Sequence, residues 1–210
     1  VTHVVVVPKP TKVIGVGRNY LAHARELGGD VPEQPIIFLK PLTALLGQGD
    51  AIVLPRISHH VEFEGEIGVV IGKTARHLTV DAAMDAVAGF TCVNDVTARD
   101  LQKLDGQWTR SKSFDATCPI GPAVVGGLDW RALEVVCRVN GVERQRAPAS
   151  AMAFSIPVLV AFASSVMTLE PGDVIATGTP AGTAALQAGD VVEVEIPGVG
   201  ILRNPVVAEP

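Results

Sequence analysis

Three glutamates, Glu62, Glu64 and Glu66, stand at alternate positions in the run Val61 to Gly72. In a strand successive side chains point to opposite faces, so this spacing predicts that the three share a face, with Val61, Phe63, Ile67, Val69 and Ile71 opposite. Acidic residues are poor strand formers, and stacked like charges repel one another. A cation between them relieves the repulsion, and oxygen-only ligands suit a hard ion such as Mg²⁺, Mn²⁺ or Ca²⁺. The competing reading is a half-buried strand with a solvated acidic face. Asp95 weighs against it, because it follows the apolar run Val87 to Val93 where a strand gives way to a helix. Mg²⁺ sites keep several waters and use few carboxylates, so a Glu-x-Glu pair and one distant Asp suffice.

A second pair suits proton transfer. His23 and Glu26 are three apart in a stretch of helix character, Arg18 to Leu27, and so are neighbours on one face. A carboxylate beside an imidazole selects its tautomer and raises its basicity, as a general base requires; the plainer alternative is a surface pair. Lys112, between two serines in a loop, could neutralise an oxyanion near a metal, although most loop lysines have no such role. The amides of Gly178 to Gly182 and the Thr179 hydroxyl suit a carboxylate. His59 and His60 are adjacent and point to opposite sides of an extended segment, so at most one joins the glutamates. Lys40 closes a strand and could reach the acidic site, although a lysine at a strand end is usually solvated.

The elements that must position these groups are short. Strands are predicted at 12–17, 36–39, 52–54, 61–72, 87–93, 174–177, 191–196 and 201–207, the last closing the sheet. Helices are predicted from Arg18 (Asn19 as N-cap, Gly28 as C′ residue), over Val80 to Ala88 with Thr79 as cap, over Thr97 to Asp105, and over Ser155 to Met167 with Pro157 in the first turn. Trp108 to Asp115 reads as loop. Asn140-Gly141 between two alternating runs marks a type I′ hairpin.

The 210 residues are 48% hydrophobic but only 4% aromatic, and Gly and Pro are spread along the chain, which predicts one compact domain over 1–210. A net charge of −5 without a basic cluster argues against a nucleic-acid groove. Cys92, Cys118 and Cys137 read as buried free thiols of a reducing compartment. The Val4 to Val7 run is too short for a signal or a membrane span, so the expectation is a cytoplasmic protein with no membrane partner.

Together, Val-Gly-Arg-Asn-Tyr20, His23, Glu26, Phe-Leu-Lys-Pro41, Glu64-Gly-Glu66, Asn94-Asp-Val-Thr-Ala-Arg-Asp100, Lys112-Ser-Phe114, Pro171-Gly-Asp-Val-Ile175 and Thr177-Gly-Thr-Pro180 resemble the fumarylacetoacetate hydrolase superfamily. The motifs run in family order over nearly the whole chain. The short length and the His-His pair look most like the acylpyruvase and oxaloacetate decarboxylase branch. The resemblance implies an α+β, mainly β fold, a mixed β-roll with peripheral helices, assembled as a homodimer. It implies Mg²⁺ or Mn²⁺ on Glu64, Glu66 and Asp95, with Glu62 outside the shell. It makes His23 and Glu26 the catalytic dyad on a closing segment, has Lys112 orient the reacting oxygen, and turns Arg18, Gln102 and Thr179 toward substrate. Val16 stands where the fumarylacetoacetate-cleaving enzymes add a carboxylate, and Gly106 where they carry a substrate tyrosine; both tell against fumarylacetoacetate itself. The implied chemistry is C–C cleavage in a small 2-oxo acid: acylpyruvate hydrolysis with His23 activating water, oxaloacetate decarboxylation, or both. Isomerisation or decarboxylation of dioic acids from aromatic degradation, a non-catalytic subunit and a structural metal module are the alternatives.

Overall fold

The computed structural model describes residues 1–210. Its chain is dominated by strands in two main sheets. The first runs, edge to edge, His3–Val4, Cys118–Gly126, Val87–Asn94, Gly65–Ile71, Val174–Ala176, Val13–Gly17 and Ile36–Lys40, with Leu45–Leu46 added to Cys118–Gly126. The second runs Val142–Pro148, Glu134–Val139, Val191–Ile196, Gly200–Ala208 and Ile52–Leu54. Parallel and antiparallel pairs occur in both sheets. Helices lie outside the sheets, the longest being Ile156–Val166 with Pro157 in its first turn. This is the mixed, mainly β architecture with peripheral helices.

The burial pattern shows how the sheets stack. Along Val191–Ile196 burial alternates, with Val192, Val194 and Ile196 inward. Gly65–Ile71 is buried at every position, as a central strand covered on both faces must be. Ile67, Val69 and Ile71 join Val135, Cys137, Val192 and Val194 in the main core between the sheets. Val70, with Val13, Val93 and Val174, forms a smaller core on the other face. Cys92, Cys118 and Cys137 are free and buried. No helix is long and apolar enough to cross a membrane.

The hairpin forms as predicted, with Asn140 and Gly141 both at positive φ (53° and 77°), the geometry of a type I′ turn. Other elements depart from the sequence reading. The glutamate run is not one strand: Val61–Glu62 pairs with Thr97–Ala98, and only from Gly65 does the chain enter the large sheet. Val80 to Ala88 yields only a 3₁₀ turn, Ala83–Ala86, because Val87 is taken into pairing with the central strand. The first helix is Leu21–Glu26 and Asn19 does not cap it. Instead the Asn19 amide donates to the carbonyls of Phe154 and Thr177 and accepts the Phe154 N–H. Gly28 does take the positive φ (77°) of a C′ residue. The stretch read as loop contains one helical turn, Thr109–Lys112. Gly200–Ala208 does not close a sheet: it lies inside the second one, between Val191–Ile196 and Ile52–Leu54, which takes the edge.

Candidate active site

The break between Glu62 and Gly65 brings two carboxylates to the head of the central strand, and the neighbouring strand ends at Asn94 beside them. Asn94 Oδ1 accepts the Glu64 N–H at 2.9 Å, and the Asp95 N–H donates to the Glu64 carbonyl at 2.9 Å. One ligand oxygen each of Glu64, Glu66 and Asp95 therefore falls within 4.8 Å of the others, and all three side chains are buried.

Cations surround the group. Lys112 Nζ bridges Glu64 Oε2 and Asp95 Oδ2, 2.6 Å from each. Lys40 Nζ donates to Asp95 Oδ1 at 2.6 Å. Arg99 donates to Glu62 at 2.9 Å and to Glu64 at 2.5 Å, and Glu62 also pairs with His60 at 2.8 Å. Glu62 is thus held outside the cluster. Four carboxylates (Glu62, Glu64, Glu66, Asp95) against three cations (Lys40, Arg99, Lys112) leave one negative charge in excess.

Glu66 carries that excess. It has no cation partner, only the Gly178 N–H on Oε2 at 2.8 Å. Burial, then the Asp95 and Glu64 charges, push its carboxyl well above the usual range. Burial also acts upward on Glu64, but Lys112, Arg99 and His23 outweigh it and hold that carboxyl low. Lys112 loses charge stability to burial and regains more from Asp95 and Glu64, so its ammonium is held above the usual lysine value. A crowded, buried, oxygen-only group with one unpaired acid fits a hard divalent cation.

His23, Glu64, Glu66, Arg18, Gln102, Lys112 and Thr179 all line one cleft of about 260 Å³, with Trp108 and Leu27 among its apolar walls. His23 Nδ1 lies 3.0 Å from Glu26 Oε2. Glu26 is fastened in turn by the Gly182 N–H, 3.1 and 3.3 Å from its two oxygens. With Nδ1 bonded to the carboxylate, Nε2 is the nitrogen left to exchange a proton. Arg18 takes a positive φ (50°), uncommon for a side-chain-bearing residue, and has no carboxylate partner. Gln102 Oε1 accepts from Arg99 at 2.7 Å, leaving its NH₂ to donate.

Thr179 acts differently from the sequence reading. Its hydroxyl donates its one proton to the Gly65 carbonyl (3.0 Å) and accepts from Gln145 Nε2 (2.7 Å), so it has none for a carboxylate. No carbonyl takes up the Thr179 N–H, which is the donor left for a ligand. Of the histidine pair, His60 reaches Glu62 and His59 gives its backbone N–H to Asp100.

Arg99 and Gln145 are not singled out for the site by the sequence, and Lys40 only as a lysine more usually solvated than joined to the acids. Lys40 was expected in solvent at its strand end, yet its side chain is wholly buried against Asp95. Gln145 comes from the second sheet, and its Oε1 takes the Gly65 N–H at 3.0 Å, between the two glutamates. Gln145→Leu therefore orphans the Gly65 N–H and loosens Thr179. The expected outcome is a loss of about 1–3 kcal/mol by thermal melting, with a raised KM. An unchanged KM would mean that Thr179 does not meet substrate.

The fumarylacetoacetate hydrolase C-terminal family model matches residues 12–207. Oxaloacetate tautomerase YisK of Bacillus subtilis is 42% identical over 214 residues, covering 95% of this chain and 71% of that one. The crystal structure of 5-carboxymethyl-2-hydroxymuconate delta-isomerase from Mycobacterium smegmatis is 47% identical with a TM-score of 0.90, covering 96% of this chain and 80% of that one. Fumarylpyruvate hydrolase from Pseudomonas aeruginosa, solved with Mn²⁺ and pyruvate, is 33% identical with a TM-score of 0.90, covering 97% and 91%. With the family model spanning nearly the whole chain, this protein belongs to the fumarylacetoacetate hydrolase family.

Proposed function

We propose that this chain is a Mg²⁺- or Mn²⁺-dependent enzyme that cleaves a C–C bond in a small 2-oxo acid, by acylpyruvate hydrolysis, oxaloacetate decarboxylation or both. The observation that carries the reading is that His23, its Nδ1 bonded to Glu26, lines one cleft with Glu64 and Glu66, whose ligand oxygens lie within 4.8 Å of that of the buried Asp95. Bound there, the ion would supply Lewis-acid polarisation of the 2-oxo group. Arg18, the Gln102 NH₂ and the Thr179 N–H are donors for the substrate carboxylate and oxo oxygens. His23 Nε2 takes a proton from water attacking the distal acyl carbonyl, while Glu26 steadies the imidazolium. Lys112 commits two of its three N–H donors to Glu64 and Asp95, and the third serves the developing oxyanion.

A second reading is keto–enol tautomerisation of oxaloacetate or isomerisation of a related dioic acid, and two observations favour it. His23 with its carboxylate partner can move a proton at C3 without any attacking water. Oxaloacetate tautomerase and a muconate isomerase are also among the relatives. The deciding experiment supplies 2,4-dioxo acids and oxaloacetate with Mg²⁺ and follows both pyruvate release and enol absorbance. Pyruvate supports cleavage; enol decay without pyruvate replaces it with tautomerisation.

The working assembly is proposed to be a homodimer. Ile36 and Leu39 on an edge strand, and Leu42 just beyond it, are large apolar side chains left exposed, which supports that reading. Sedimentation is expected to give a dimer at micromolar concentration, and a monomer there would refute it.

A further inference from the structure

Each acid of the cluster has one oxygen tied to a protein donor other than Lys112. For Glu66 it is Oε2, bonded to the Gly178 N–H; for Glu64 it is Oε1, bonded to Arg99. For Asp95 it is Oδ1, and the donor is Lys40. Lys112 bridges the remaining Asp95 oxygen, Oδ2, to Glu64 Oε2, so Oδ2 is the one turned toward the cluster.

Lys40 is the donor whose presence most needs a reason. Its side chain is fully buried, it does not line the cleft, and Asp95 is its only ion partner. Burying an ammonium is costly, and an apolar side chain of similar volume would fill the same space without that cost. What an apolar residue could not do is occupy Asp95 Oδ1.

That oxygen matters for ion choice. Ca²⁺ takes six to eight oxygens and readily uses carboxylates in bidentate fashion, whereas Mg²⁺ demands a near-octahedral shell and uses one or two carboxylates with waters. An acid with one oxygen already engaged by a charged donor offers a single ligand atom. We propose that Lys40 is a positioning residue that holds Asp95 to one ligand oxygen, so that the cluster selects a small octahedral cation over Ca²⁺. This rests on the reading that Glu64, Glu66 and Asp95 hold a divalent ion.

The test is calorimetric titration of metal-free protein with MgCl₂, MnCl₂ and CaCl₂ separately, in wild type and Lys40→Met, with melting curves to verify folding. Wild type is expected to bind Mg²⁺ and Mn²⁺ more tightly than Ca²⁺. Loss of the lysine charge strengthens binding of every divalent ion alike, so the ratio of affinities isolates the oxygen count. In Lys40→Met that ratio is expected to move toward Ca²⁺ by about tenfold, within the range typical of groups that support metal ligands. An unchanged ratio in folded Lys40→Met overturns the proposal. Should that variant not fold, wild type still decides, because equal affinity for Ca²⁺ and Mg²⁺ overturns it as well. Wild type that binds none of the three ions refutes the metal reading itself, a result distinct from binding without selectivity.

Discussion

Glu66→Gln is expected to abolish metal-dependent turnover and, in the same protein, to raise the melting temperature measured without metal. The two effects share a cause. Glu66 is the one cluster acid without a cation partner, pressed in burial against Asp95 and Glu64. Gln keeps the shape and still offers an oxygen to the Gly178 N–H, but it removes the charge that both the crowding and the ion depend on. The metal-free fold loses a buried like-charge contact and gains stability. The loss of metal affinity should exceed the roughly 100-fold upper range seen when only a supporting partner is removed, and addition of Mg²⁺ should no longer raise the melting temperature as ligand binding does in wild type. Glu62→Gln is the contrast: it breaks contacts with Arg99 and His60 but leaves the cluster oxygens in place, so metal dependence persists. If Glu62→Gln loses metal dependence and Glu66→Gln keeps it, the ligand set is wrong.

His23→Ala is expected to lower acylpyruvate hydrolysis by roughly 10²–10⁴-fold, the usual contribution of a positioned general base. Decarboxylation of oxaloacetate should fall far less, because loss of CO₂ needs an electron sink and no activated water. Tautomerisation should follow hydrolysis, since it too requires a group to carry the proton. His23 also sits on the short helix fastened through Glu26 to the Gly182 N–H, so its removal loosens a segment over the cleft. Glu26→Gln separates the two contributions. It weakens the imidazole as a base, yet the amide oxygen can still accept the Gly182 N–H and the ring stays in the cleft. Rates for both reactions in both variants decide the matter. Equal losses in hydrolysis and decarboxylation would assign His23 to closing the cleft rather than to activating water.

The chemistry of this site was legible in the sequence to the extent that it depends on local spacing. Glu64 and Glu66 two apart on extended chain, His23 and Glu26 three apart on a helix, and Asn140-Gly141 between alternating runs each give a contact that the period of the backbone settles alone. Asp95 was approachable for a similar reason, since an apolar run ending in a carboxylate marks where a strand gives way. The mainly β character followed from the same short runs. The family motifs then ordered these pieces along the chain.

Contacts between residues far apart in sequence were decided only by the tertiary structure. The period-two pattern could not show that pairing breaks after Glu62, which sends that glutamate to Arg99 and leaves Glu64 at the head of the central strand. Lys40 read as solvated because strand ends usually are, and only the approach of Asp95, 55 residues away, makes its burial tolerable. Gln145 lies 80 residues from Gly65 and on another sheet, so nothing in its own segment announces that it fastens the loop between two glutamates. The Thr179 hydroxyl looked free until the fold supplied Gly65 and Gln145 to take its proton and its lone pair. Local periodicity therefore determined which groups this protein has for chemistry. Which carboxylate is shared, which donor is spent and which charge is left unpaired depended on desolvation and on partners that only folding brings within hydrogen-bond distance.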